Sequence, residues 1–182
     1  MSNLQWTVLA LAVLGMSWML GAYNRLQRLR NIIGQAVHQI DEPLRRRDEL
    51  LAGMLTLLRP LADQVDPQAL HAVDESGSAL VAAADALKNK PCGPDAPVRL
   101  AVAEVSLQAA LSQVIARVEA ERTLRLQPGM LERLAGISEA ERRMRFGRQL
   151  YNESVKTYNA ALQQWPTRLL RRLFGMEEAA TI

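Results

Sequence analysis

The chain has 182 residues, 22 Lys and Arg against 19 Asp and Glu, and a hydrophobic fraction of 49%, enough apolar material for one compact core but not for two. Aromatic residues make up only 4% and Cys92 is the single cysteine, which excludes a disulfide-stapled module and argues against an aromatic-rich β-sandwich or a Cys-based zinc site. The composition points to an all-α protein: an N-terminal transmembrane helix continuing into an antiparallel up-down-up-down four-helix bundle.

After a short tail, residues 1–3, the segment 4–22 contains no charged side chain, and Gln5, Thr7 and Ser17 are its only polar interruptions. At roughly 1.5 Å per residue it spans about 29 Å, close to the thickness of a bilayer core. Leu4, Leu11, Leu14 and Ala22 supply apolar surface, while Trp6 marks one edge and Trp18 and Tyr23 the other, where amphipathic rings favour the headgroup zone. A signal peptide would need a basic start and a small-residue cleavage site; here the first charged side chain is Arg25 and Leu20 stands three places from the end of the span, so the anchor is expected to be retained. Arg25, Arg28 and Arg30 follow it, which predicts a single pass through the inner membrane with the N-terminus outside and the body, residues 23–166, in the cytoplasm.

Leu26, Leu29, Ile33, Ala36, Ile40 and Leu44 recur at steps of three and four, so the first bundle helix continues straight from the anchor. Pro43 predicts an interruption with a kink near Ile40, after which helicity resumes through Leu58. Asp66-Pro67 predicts a capped restart, and Leu70, Val73, Gly77, Leu80, Ala84 and Leu87 a second helix, ending before the loop Lys90–Pro97. A third helix is predicted from about Val98 to Leu124, with a turn at Pro128-Gly129. In the fourth, Ile137, Met144, Tyr151, Tyr158 and Trp165 are spaced by seven, with the small Ala140, Gly147, Ser154 and Ala161 between them, a seam that lets a neighbouring helix come close. Residues 167–182 form a short amphipathic segment and tail; Leu169, Arg171, Arg172, Leu173 and Phe174 are the candidate interfacial foot, or else a cap on the bundle core.

Residues 25–59 carry a net +3, residues 60–121 −5 and residues 122–175 +7. Such segregation either drives self-association of opposite faces or is absorbed by packing within one molecule. Arg45, Arg46, Arg47 and the cluster Arg142, Arg143, Arg145, Arg148 are expected to lie near each other at the end far from the anchor, as a docking patch for an acidic partner or as a solvated surface partly neutralised by Asp48, Glu49, Glu139 and Glu141.

The fourth helix also carries Glu141-Arg142-Arg143-Met144, then Tyr151-Asn152-Glu153-Ser154-Val155, Tyr158-Asn159, Trp165-Pro166 and Phe174-Gly175, while Tyr23-Asn24-Arg25-Leu26 and Gln39-Ile40-Asp41 stand near the amino end. In these motifs the chain resembles the LemA family over nearly its whole length. Ala52-Gly53 and Glu121-Arg122 replace the Pro-Asn and Tyr-Pro pairs that the family usually carries. The resemblance implies a single-pass membrane protein with a cytoplasmic helical bundle, and it brings no established reaction. Tyr151, Asn152, Val155, Tyr158, Asn159, Trp165 and Pro166 form the family-motif seam. Because seven residues return to nearly the same side of a helix, the two Asn share a stripe, expected to set bundle registry or else to line a ligand groove.

His38 with Asp41 and His71 with Asp74 have one-turn spacing, but both pairs lie off the apolar stripes and no Glu-x-x-His accompanies them, so no metal site and no cofactor is expected. Phosphate-binding glycine loops and nucleophile–base arrangements are absent from the sequence, and the basic residues lack the interleaved aromatics of a single-strand nucleic-acid binder. The expected function is a noncatalytic membrane-anchored scaffold or adaptor whose partners are membrane lipid and a protein at the membrane, with possible self-association and no nucleic acid; the alternative is a lipid-surface or membrane-remodelling factor.

Overall fold

The computed structural model describes residues 3–61, 63–165 and 167–182, and among them there are helices and no strand. Helix α1 runs Asn3–Leu58, followed by a 3-10 turn at Arg59–Leu61; α2 is Pro67–Asn89, α3 Asp95–Ala120, α4 a single turn at Arg122–Arg125, α5 Met130–Gln163 and α6 Thr167–Phe174. Side chains 5–18 of α1 are all exposed, a largely apolar helical stretch compatible with a membrane anchor. Of the anchor residues, Leu4 lies outside the described side chains, and Ala22 and Tyr23 are partly covered. Helix α3 is also long and apolar enough to cross a membrane, yet it buries Leu100, Leu107, Leu111, Val114 and Val118 in the core.

Several helix ends follow the local chemistry read from the sequence. The Asp66 carboxylate accepts the Gln68 N–H at 2.9 Å and Pro67 occupies the first turn of α2, where its missing amide hydrogen costs nothing. Gly129 takes φ +79° immediately before α5, a left-handed conformation that a Cβ would strain. Helix α3 ends at Ala120, earlier than its apolar pattern suggested, and Leu124 reaches the core from the separate turn α4.

The packing partners run in opposite directions along the helices. Gly53 meets Arg133, Gly136 meets Leu50, Gly147 meets Gln39 and Arg25 bonds Gln164, so α5 lies antiparallel to α1. Arg59 pairs with Asp74, Arg45 with Asp85 and Lys88 with Asp41, so α2 also descends against α1. Arg59–Asp74 and Arg45–Asp85, with Arg148–Glu104 between α5 and α3, set the acidic middle of the sequence against its basic ends inside one molecule, while Lys88–Asp41 pairs in the opposite sense. One core cluster joins Ile33, Ile40 and Leu44 of α1 to residues of α2, α3 and α5.

Pro43 does not interrupt α1, contrary to the expectation from its position: the helix is continuous from Asn3 to Leu58 with Pro43 inside it. Proline offers no N–H to the carbonyl four residues earlier, that of Gln39. At this carbonyl α5 comes closest, for a Cβ on Gly147 would stand 2.6 Å from the Gln39 oxygen. A side chain at 147 would collide with the oxygen that lacks its helical partner, so glycine is what lets α5 pack against α1 at the proline.

Candidate functional site

The family motif proves to be a clasp for the chain's own tail. Helix α6 ends at Phe174; Gly175 follows with φ +57°, and the Met176 N–H bonds the Arg171 carbonyl at 3.2 Å, the Schellman closure that turns the chain back toward α5. The tail then runs along α5 in the opposite sense. Asn159 donates to the Ala179 carbonyl at 2.8 Å and accepts the Ala179 N–H at 3.0 Å; Asn152 does the same to Ile182 at 3.0 and 2.9 Å. The spacing follows from chain geometry. Seven helical residues rise about 10.5 Å, and three extended residues cover about 10 Å, so asparagines seven apart on a helix match backbone units three apart on a strand.

The two tyrosines complete the clasp from below. Tyr151 is fully buried and shares its hydroxyl proton between the carbonyls of Pro91 at 2.9 Å and Ala180 at 3.2 Å, tying the α2–α3 loop and the tail to α5. Tyr158 donates toward Glu177 O at 3.4 Å. Burial raises both phenols above their ordinary pKa, Tyr151 strongly; beside Tyr158 the positive charge of Arg30 opposes the shift. From the tail itself, Met176 and Ala179 are buried in the core. The registry role expected for the asparagines is thus corrected: they hold a strand-like segment, not a neighbouring helix, and the seam is occupied by the tail. Val155 lies in the core as expected.

Trp165 departs from the seven-residue seam. Because α5 ends at Gln163, its side chain leaves the core, is 75% exposed, and meets Trp18 with ring centroids 4.3 Å apart. Phe174 of α6 approaches Tyr23 at 5.2 Å, so aromatic rings gather where α1 leaves its uncovered stretch. Arg171 is exposed and pairs with Glu178 at 3.0 Å. Pro166 and the side chains of Leu169, Arg172 and Leu173 lie outside the described residues.

The proposed arginine patch divides between two cavities on opposite flanks of α5. Arg45, Arg46, Arg142 and Arg143 line an open groove of about 950 Å³ between α1 and α5, with Gly136 and Ala140 in its wall and the exposed Phe146 beside them. Carboxylates meet these arginines within the groove: Arg46 pairs with Glu49, Arg142 and Arg143 with Glu139, and Arg45 with Asp41. The groove is therefore of mixed charge. Arg145, Arg148 and Arg47 line the second cavity instead. Arg47 is 2% exposed and belongs to no exposed patch, since it follows Leu44 by three and precedes Leu51 by four on the core-facing stripe. Burial pulls its pKa down, against the charges of Glu104 and Glu141. The histidines His38 and His71 are exposed, and Asp41 and Asp74 are engaged by arginine or lysine.

An exposed apolar N-terminal helix, compatible with a membrane anchor, a helical body and a tail clasped by paired Tyr-Asn motifs define the chain as an all-helical protein among the described residues. The model of the LemA family matches residues 36–182, and the chain belongs to that family. No curated protein matches the chain.

Proposed function

We propose that this protein is a noncatalytic, membrane-tethered adaptor: α1 crosses the inner membrane with its N-terminus outside, and α1, α2, α3 and α5 form an up-down-up-down bundle that presents the α1–α5 groove to a membrane protein partner on the cytoplasmic side. The observation that carries this reading is the groove itself. Its wall is built from small residues, its rim is a set of paired charges, and Phe146 stands 59% exposed within it, an apolar anchor point of the kind that dominates binding energy at interfaces. Mixed charge suits an amphipathic helix with both signs better than a purely acidic partner. The arginines after the anchor support the orientation.

The test is site-specific photocrosslinking of the full chain in native membranes, with the photoreactive residue at Phe146 and, as a control, at Val102 on the exposed face of α3. A discrete protein adduct at position 146 and not at 102 is the expected result. Adducts with lipid alone, or with a second copy alone, would remove the adaptor reading.

The ring contacts Trp18–Trp165 and Tyr23–Phe174 favour a second reading, in which α6 rests on the bilayer surface and the protein shapes lipid. Deleting residues 167–182 would not test it, because the tail is part of the core. An environment-sensitive fluorophore at position 174 of the full chain, with Cys92 replaced by Ser, should report an apolar surrounding in nanodiscs containing anionic lipid; a fully aqueous signal there would eliminate the foot.

A further inference from the structure

Helix α3 carries two stripes on opposite sides. Leu100, Leu107, Leu111, Val114 and Val118 are buried, and at about 100° per residue Val98, Val102, Val105, Ala109, Ser112 and Ala116 fall in one band on the reverse side. All six are exposed, the three valines by 52% to 71%. Residues 100–116 contain one charged side chain, Glu104, and Arg148 of α5 takes it up. The outer face of a bundle helix is ordinarily charged or polar; here it is uncharged between Arg99 and Arg117.

The steps along the outer stripe, four-three-four-three-four, make the seam of a helix pair and read the same from either end. That symmetry selects a second copy of α3 as the occupant. Laid antiparallel about Leu107, it sets Val98 against Ala116, Val102 against Ser112 and Val105 against Ala109, a large side chain opposite a small one at every level. The Ser112 hydroxyl already donates to the Ala109 carbonyl at 2.8 Å, so covering it leaves no donor unmet. Charge agrees with this direction. Asp95 and Arg117 stand on one flank of the stripe and Glu119 on the other. In an antiparallel two-fold pair each flank faces its own counterpart, so Asp95 comes beside Arg117 of the second copy. A parallel pair instead sets valine against valine, alanine against alanine and each end charge level with its like.

Cys92, just ahead of α3, shares a cavity wall with Arg30 of α1, while Arg117 near the other end donates to the Gln64 carbonyl at 2.8 Å. Helix α3 therefore runs the same way as α1, and an antiparallel α3 pair points the two N-terminal stretches in opposite directions. We propose that α3 pairs in this way with α3 of a second copy and thereby joins copies standing in two facing bilayers. The bridge rests on the anchor of the proposed adaptor; the pairing does not. Neighbours in one bilayer stand the same way up and cannot pair so, which leaves Val102 open there. Arg47 and Glu104 share a cavity wall near the middle of α3, and Arg47 lies about 25 residues beyond Ala22, about 37 Å of helix, so the two bilayers stand roughly 75 Å apart.

The experiment uses the full chain with Cys92→Ser in detergent: copies carrying Val98→Cys and copies carrying Ala116→Cys, differently tagged, are mixed and oxidised. Disulfides joining unlike copies should exceed those joining like copies by about fivefold or more, because only facing Cβ atoms reach bonding distance. Val105→Glu added to both should abolish them, with circular dichroism checking that this exposed substitution leaves the fold intact. An excess of like joined to like, a yield that Val105→Glu does not lower, or no dimer at all would overturn the pairing, the last leaving the α3 face to lipid or to another protein. In a second arm the chain is reconstituted into vesicles, which should cluster with a gap of roughly 75 Å by electron cryomicroscopy and disperse with Val105→Glu. Vesicles that carry the chain yet stay apart would overturn the bridge. Vesicles that fail to retain the chain would remove the anchor and the bridge together, while the disulfide result decides the pairing.

Discussion

Gly147 and Gly136 both stand where α5 meets α1, yet their surroundings differ in kind. A Cβ at 147 meets backbone, the Gln39 oxygen at 2.6 Å and its carbon at 2.9 Å, whereas a Cβ at 136 meets the tip of the Leu50 side chain at 2.8 Å. Backbone cannot step aside without moving a helix; a leucine methyl can rotate. Gly147→Ala should therefore destabilise the body by about 1–3 kcal/mol or more, and Gly136→Ala by much less, as measured by denaturant unfolding followed by circular dichroism. Arg47 supports a second prediction at this scale. Arg47→Ala leaves a cavity and strips Glu104 and Glu141 of a nearby positive charge, while Arg47→Met fills the same volume without a charge to desolvate. The methionine variant should match or exceed the wild type in stability, and the alanine variant should fall below it.

At the scale of elements, much was legible in the chain. Three-four apolar spacing, Asp66-Pro67 and Gly129 mark the helices and two of their starts because these signals act within a turn or two. The burial of Arg47, expected instead in a surface patch, had a signal that went unused: its place between Leu44 and Leu51 on one stripe. The tail clasp was not. A segment held through its backbone imposes no periodicity on its own side chains, so Glu177 to Ile182 carries no mark of where it docks; only the seven-residue repeat of Tyr-Asn hinted that something was gripped. Equally illegible was the close approach of Gly147 to the Gln39 carbonyl, which joins positions more than a hundred residues apart. The clasp predicts its own failure mode. Replacing Asn152 and Asn159 by Ala should release residues 176–182, seen as lost amide-exchange protection at Ala179 and Ile182 while α5 keeps its own. Retained protection at both amides would show that Met176 and Ala179 burial alone holds the tail.

For the whole molecule, the two buried phenols make stability depend on pH. Both are raised above the ordinary tyrosine value by burial, so on an alkaline titration the unfolded chain gives up these protons first. Their contribution is complete below about pH 10, the unfolded value, and is lost as pH climbs from there toward the folded values. Denaturation midpoints should drop as pH rises above about 10, and a Tyr151→Phe, Tyr158→Phe double variant, though weaker at neutral pH through loss of its hydroxyl bonds, should show a shallower drop.

The uninterrupted 56-residue α1 fixes more than distance. A helix without a hinge transmits angle, so the azimuth of the body's faces about the rod is locked to the azimuth of the exposed apolar stretch. Adding one residue upstream of Trp18 would turn that stretch by about 100° relative to the groove and shift it by about 1.5 Å, and adding seven would nearly restore the original phase. Whatever lies beside the first turns thereby determines which compass direction the body faces.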